Sequence, residues 1–194
     1  MLEKFNEPKS ILLSGGADST LLLYNLLKEQ PETETRILTW TEKVTHYRSV
    51  KSAVNVINWC INATGNNNIV HIIKYGDIQS FDYLDKLAKY HGDGYKICAG
   101  ITANPKESVD FGEHGWPDND PRSKPGNNKD VWLHKGSVYV PYVNYDKKDI
   151  ARMYRDNNLM DLFRLTNSCS SYDDVSHCKE CWGCKERYWA FGEY

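Results

Sequence analysis

Four of the six cysteines, Cys169, Cys178, Cys181 and Cys184, crowd into SCSSYDDVSHCKECWGC near the C-terminal end of the chain. The spacing is C-x8-C-x2-C-x2-C. Four thiolates in so short a span suit a closed tetrahedral zinc site. An iron–sulfur cluster also takes four cysteines, and a redox Cys-x-x-Cys pair would leave two thiols without a task; zinc is the expectation. His177 could replace a thiolate in principle, although adjacency to Cys178 makes joint ligation awkward. A second constellation lies at the other end, in Ser14-Gly15-Gly16-Ala17-Asp18-Ser19-Thr20. Two glycines allow a tight turn and close backbone approach to a ligand. The free N–H groups and dipole of a following helix favour negative charge there. Ser14, Ser19 and Thr20 add hydroxyl donors, so the segment reads as an anion cradle. The plainer alternative is a common turn in which Asp18 or Ser19 caps a helix.

The elements that must position these residues follow from alternating patterns. Short β-rich runs at residues 10–14, 36–40, 68–73 and 95–100 alternate with amphipathic stretches at 18–30, about 46–62 and 80–90. Strand and helix at this spacing predict a doubly wound parallel sheet, with right-handed crossovers placing helices on both faces. The glycine turn then leaves the first strand at its carboxyl end, where such sheets bind ligands. Residues 104–130 hold four of the seven prolines and no apolar periodicity, which marks a long functional loop. VYVPY at 138–142 predicts a fifth strand, and YDKKDIARMYRDNN a helix with an aspartate near its start. Cys60 and Cys98 sit in apolar surroundings and read as buried small hydrophobes.

With 194 residues the chain is the size of one ordinary domain and can bury a core without disulfide staples. Net charge −2 argues against a bulk electrostatic grip on nucleic acid. No apolar run approaches the length of about 20 residues that a membrane span needs. The N-terminal residues lack a secretory pattern, so a cytoplasmic location is expected, where clustered thiols favour metal over disulfides. The sequence offers neither G-x-x-x-x-G-K-[ST] nor G-x-G-x-x-G, and no Ser-His-Asp or Cys-His arrangement.

The stretch SGG-x-DS, unbroken from Ser14 to Ser19, resembles the pyrophosphatase (PP) loop of the adenine-nucleotide α-hydrolases, which cleave ATP to AMP and pyrophosphate. The resemblance implies that the loop, Ser14 through Thr20, holds the leaving pyrophosphate. It also implies that adenine lies near Leu38, Thr39 and Trp40, and that Asp18 holds Mg²⁺ against the phosphates. Asp18 and Ser19 are thus the candidate catalytic residues. Combined with TNSCSSY, C-x2-C-x2-C and ERYWAF near the C-terminal end, and with VPYVNYDKKDI between, the loop resembles the 7-cyano-7-deazaguanine synthase family. That family is zinc-containing and serves the queuosine and archaeosine pathway. The resemblance implies a PP-loop ATP-binding domain over 1–165, carrying the substrate loop 104–130. It implies a four-cysteine zinc segment over 166–194, packed on that domain with the metal structural. The substrates would be 7-carboxy-7-deazaguanine, ATP and ammonia, passing through the 7-amide to the nitrile.

The family's Tyr-Pro-Asp-Cys-Arg-like segment has its nearest counterpart in residues 116–122. There Trp116 would stack on the purine-like ring and Asp118 would accept from its N1–H and exocyclic amine, with Arg122 completing the segment; the alternative is a Pro-Asp turn. The chain then runs through SKPGNNKD where the family continues with a long helix, so the expected reaction stops at the 7-amide. Two other readings remain. One is a tRNA-modifying relative that adenylates a base for sulfur or amine insertion, which would want a basic groove; the other is a non-catalytic zinc module. No direct nucleic-acid partner is expected. The ending with Tyr188, Trp189, Phe191 and Tyr194 suits a homodimer contact, or else a cover for the chain's own sheet.

Overall fold

The structure is a computed structural model that describes residues 2–41, 47–75, 95–105, 130–133, 136–169 and 177–194. Among these, β1 (Lys9–Leu12), β2 (Thr35–Thr41), β3 (Ile69–Tyr75), β4 (Lys96–Ala99), β5 (Trp132–Leu133) and β6 (Val138–Tyr139) form one sheet in the order β3-β2-β1-β4-β6-β5. All pairings are parallel except β5 with β6. β1 is central and buried along its whole length, as a strand covered on both faces must be. Its one charged residue, Lys9, reaches the carbonyls of Gln30 and Thr33 at 3.1 and 3.4 Å. Burial lowers its ammonium to about 8, because a desolvated charge is disfavoured.

The alternation of strand side chains divides the core in two. Ile11, Leu13 and Ile37 face one cluster, and Leu12, Leu38, Ile97, Ala99, Val138 and Val140 face the other. Helix α1 (Ala17–Glu29) buries Leu21, Leu22, Leu23, Leu26 and Leu27 in the first cluster. Helix α2 (Tyr47–Thr64) adds Ala53, Val56, Ile57 and Cys60, a stripe at helical spacing. Three further helices, α3 (Lys147–Asp156), α4 (Met160–Arg164) and α5 (Trp182–Phe191), bury Ile150, Tyr154, Phe163 and Phe191 there as well. The described helices therefore all contribute to one face. The helix expected at 80–90 lies outside the described residues.

The sequence placed β1 to β4 and α1, α2 and α3 to within a few residues; α4 and α5 were not read from it, and two further differences concern strands. The fifth strand is shorter than 138–142, because a turn begins at residue 141. β5 was not anticipated: two residues carry too short a pattern, and pairing with β6 alone defines them. Helix α3 starts where Asp146 accepts from the Asp149 N–H at 3.0 Å while Asp149 accepts from the Asp146 N–H at 3.2 Å, a reciprocal cap. No described helix is long and apolar enough to cross a membrane.

Candidate active site and metal centre

The strand order reverses beside β1: β2 and β3 run outward on one side, β4 and β6 on the other. A crevice opens at such a point outside the carboxyl ends of the strands. The turn that leaves β1 there has Gly15 at φ 79°, a left-handed backbone that glycine adopts without a Cβ penalty. Gly16 caps α1 with no side-chain hydrogen bond, so the first N–H groups of the helix remain for a ligand. The Ser14 and Ser19 hydroxyls lie 3.1 Å apart, and the Gly16 N–H donates to Ser14 Oγ at 3.2 Å.

This turn forms one wall of a cavity of about 280 Å³. Gly100, just beyond β4, forms another. A Cβ at Gly100 would fall 2.5 Å from the Ser19 nitrogen and 2.7 Å from the Asp18 carbonyl carbon, backbone that cannot yield. Gly100→Ala is therefore expected to lower the thermal midpoint by roughly 5–10 °C, the effect of an overpacking strain near 3 kcal/mol. Circular dichroism melts check it; an unchanged midpoint would mean the two backbones do not meet this closely.

The far wall comes from the end of the chain. The Asn167 N–H donates to the Gly15 carbonyl at 2.8 Å, tying the segment that leads to Cys169 onto the glycine turn. Gly183, in the first turn of α5, packs so closely on Ser168 that a methyl group would overlap the Ser168 carbonyl oxygen. Buried Arg187 fixes the start of this segment, donating to Thr166 Oγ1 at 2.6 Å and to the Phe163 carbonyl at 3.1 Å. Its guanidinium carbon lies 3.7 Å from the Phe163 ring centroid. Asn167, Ser168, Cys169, Trp182, Gly183 and Glu186 all line the cavity.

Of the lining residues that the sequence did not mark as site residues, two are charged, Lys147 and Glu186. Lys147, the first residue of α3, turns its ammonium onto Asp18 Oδ2 and lies 3.6 Å from Glu186 Oε2. Asp18 also accepts from the Thr102 hydroxyl at 3.4 Å. Its other oxygen, Oδ1, is buried without a hydrogen-bond partner. An orphaned acceptor costs free energy until a donor or cation reaches it, so Asp18 fits a hard divalent cation such as Mg²⁺. First turns of α1, α3 and α5 thus meet at one cavity, where their N–H groups favour an anion.

Some expected residues fall elsewhere. Thr20 is fully buried and does not line the cavity; one step along α1 rotates it about 100° from Ser19. Leu38, Thr39 and Trp40 do not line it either. Leu38 belongs to the second core cluster, and Trp40 packs against it. The Thr39 hydroxyl lies 3.0 Å from His71 Nε2, whose burial holds that imidazole below its ordinary value. These three mark the end of β2, beside the β1 turn, as the Leu13 N–H to Leu38 carbonyl bond of 2.9 Å shows. Trp116, Asp118 and Arg122 lie outside the described residues.

The sulfurs of Cys169, Cys178, Cys181 and Cys184 all lie within 4.8 Å of one another, and Cys178 and Cys184 are 4.0 Å apart. Tetrahedral zinc with bonds of about 2.3 Å spaces its sulfurs at about 3.8 Å, so the four could hold such an ion after closing in by about 1 Å or less. The Cys178 N–H donates to Cys169 Sγ at 3.4 Å and the Cys181 N–H to Cys178 Sγ at 3.2 Å. Cys181 caps α5. His177 Nδ1 lies 3.6 Å from Cys184 Sγ, beside the cluster and outside the four. The aromatic ending divides: Phe191 stacks on Phe163 at 3.8 Å inside the core, whereas Tyr188 is exposed and stacks on Tyr194 at 5.0 Å. Cys60 and Cys98 are buried, and desolvation pushes both thiols up to about 12, so they stay protonated.

The family model described as queuosine biosynthesis protein QueC matches residues 105–194. No curated protein matches the chain significantly. The matched region contains Lys147, the Asn167–Cys169 segment, all four clustered cysteines and α5; the glycine turn lies outside it.

Proposed function

From the match of residues 105–194 to the QueC family model we propose that this chain is an ATP-dependent ligase that amidates 7-carboxy-7-deazaguanine with ammonia. Queuosine-pathway synthesis of 7-cyano-7-deazaguanine is what the family implies; the steps are the proposal. One observation supports it above the rest. The SGGADS turn and the family-matched segment share a single cavity, joined by the bond from the Asn167 N–H to the Gly15 carbonyl. In this reading residues 1–165 are a PP-loop ATP-binding unit and 166–194 a zinc segment that completes its site.

The chemistry needs positioning and charge neutralisation more than a reactive side chain. The glycine turn and the N–H groups of α1 take the pyrophosphate, and Lys147 faces its charge. Asp18 holds Mg²⁺, which when bound neutralises phosphate oxygens. A substrate carboxylate oxygen bonds to the α-phosphorus, and the bond to the bridging oxygen breaks, releasing pyrophosphate. Ammonia nitrogen then bonds to the carboxyl carbon, the bond to the AMP oxygen breaks, and one proton leaves. Going on to the nitrile requires a second adenylation, on the amide oxygen, then loss of AMP and two N–H protons. Trp116, Asp118 and Arg122 would read the base. The four cysteines would hold zinc, which when bound would fasten this segment beside the cavity.

Mass spectrometry of products from zinc-loaded protein given 7-carboxy-7-deazaguanine, MgATP and ¹⁵N-ammonium tests this. The expected product is the ¹⁵N-amide with one AMP per turnover, accumulating because SKPGNNKD replaces the segment that would hold the amide for a second round. A nitrile would show that the second adenylation occurs. Failure to form any product that depends on both ATP and ammonium would remove the reading.

A further inference from the structure

We propose that Glu186 is a positioning residue for Lys147, keeping that ammonium in the cavity when Asp18 engages the cation that arrives with the nucleotide. The proposal rests on the ATP-dependent reading above. Its starting point is the place of Lys147 between two carboxylates. Lys147 lies within ion-pair distance of both Asp18 and Glu186, and the three side chains are 10, 15 and 4% exposed.

The arrangement has a direct consequence when that cation comes. At Asp18 it would stand beside the ammonium, and two like charges that close repel strongly where water is largely excluded. With Asp18 as its sole acceptor, Lys147 would be driven out of the cavity as the nucleotide enters. Glu186 Oε2, 3.6 Å away, gives it an alternative acceptor within a small side-chain movement. The ammonium then stays facing the glycine turn.

Glu186 is suited to this because its backbone cannot follow the lysine. It sits between Cys184, one of the four clustered thiols, and Arg187, which is locked onto Thr166 and Phe163. A fixed carboxylate and a long flexible lysine make a post and a movable arm. Asp18 and Glu186 thus have different tasks, although both are carboxylates in one cavity: one takes the cation, the other takes back the lysine.

Calorimetric titration of the full-length zinc-loaded protein with MgATP tests the assignment, using Glu186→Gln, Glu186→Asp, Lys147→Met and the Lys147→Met/Glu186→Gln double variant. Glu186→Gln is expected to raise the Kd for MgATP at least tenfold with zinc content unchanged, and Glu186→Asp to recover most of the loss. In the Lys147→Met background the Glu186→Gln change is expected to add less than twofold, because a residue acting through Lys147 has nothing left to act on. Wild-type affinity in Glu186→Gln, or an equal loss with and without Lys147, would overturn the proposal alone. An unaltered protein that binds no MgATP would overturn the ATP-dependent reading and this proposal with it.

Discussion

Asp18→Asn is expected to cut AMP and pyrophosphate formation by roughly 10²–10³-fold, the scale seen when one preorganised charge-stabilising group is removed, while the four-cysteine metal content stays unchanged. The substitution is nearly isosteric, so the Thr102 contact and the backbone of the first turn of α1 can persist. What disappears is the negative charge. Oδ1, now an orphaned acceptor suited to a cation, becomes part of a neutral amide that binds a hard dication far more weakly. Lys147 loses its ion pair and keeps only Glu186 at 3.6 Å. Removing one partner of a buried pair is usually strongly destabilising; here the remaining carboxylate limits the loss to about 1–2 kcal/mol. Steady-state release of AMP, measured beside a thermal melt, separates the two effects. A fall of less than tenfold with the fold intact would place Asp18 away from the reacting phosphates.

Cys184→Ser is expected to have the largest effect on stability, with loss of the bound metal and a destabilisation of at least about 4 kcal/mol, in the range reserved for losing a metal or a buried network. Cys184 is fully buried and its burial pushes the thiol up, so the site depends on a dication to make it a thiolate. Metal binding of this kind is also folding free energy. Freed from the cluster, the first turn of α5 no longer holds Gly183 against Ser168, and Trp182 and Glu186 leave the cavity. Elemental analysis should find no zinc, and the urea midpoint should fall. Chelation of the unaltered protein should do the same. A metal-free protein with an undiminished midpoint would sink the structural role. Iron in place of zinc, with a band in the visible, would change the metal and reopen the tRNA-modifying alternative.

How much of this was legible in the sequence varies with the kind of signal. The SGG turn was, because a backbone at φ 79° demands a glycine and the sequence supplies it after an apolar run. The cysteine cluster was, because thiols are rare and their spacing limits how far apart they can fold. The sheet was, because period-2 and period-3.6 patterns alternate over most of the chain. Lys147 was not. It is followed by Lys148, and a Lys-Lys pair opening a helix reads as a solvated surface. Only the cap between Asp146 and Asp149 fixes where α3 begins; Lys147 then enters the cavity, while Lys148 lies 4.4 Å from the Trp189 ring centroid. Glu186 was hidden for a related reason. In WGCKERYWAF polar residues are buried with apolar ones, so no single apolar stripe marks the inner face. The Glu186 and Arg187 side chains are buried by partners that arrive from Lys147, Thr166 and Phe163, far away in sequence.

The pairing of Lys147 with Asp18 spans 129 residues of chain, and the bond from Asn167 to Gly15 spans still more. Contacts of such sequence separation form late, since the ends of a long loop must be brought together before anything rewards the meeting. During synthesis the glycine turn emerges before α5 and can meet it only after that helix has left the ribosome. Until then the nascent chain carries half a cavity. A nucleotide that binds across both ends would in turn stabilise the completed fold over every partial one, so occupancy of this cavity would report that the chain has closed on itself.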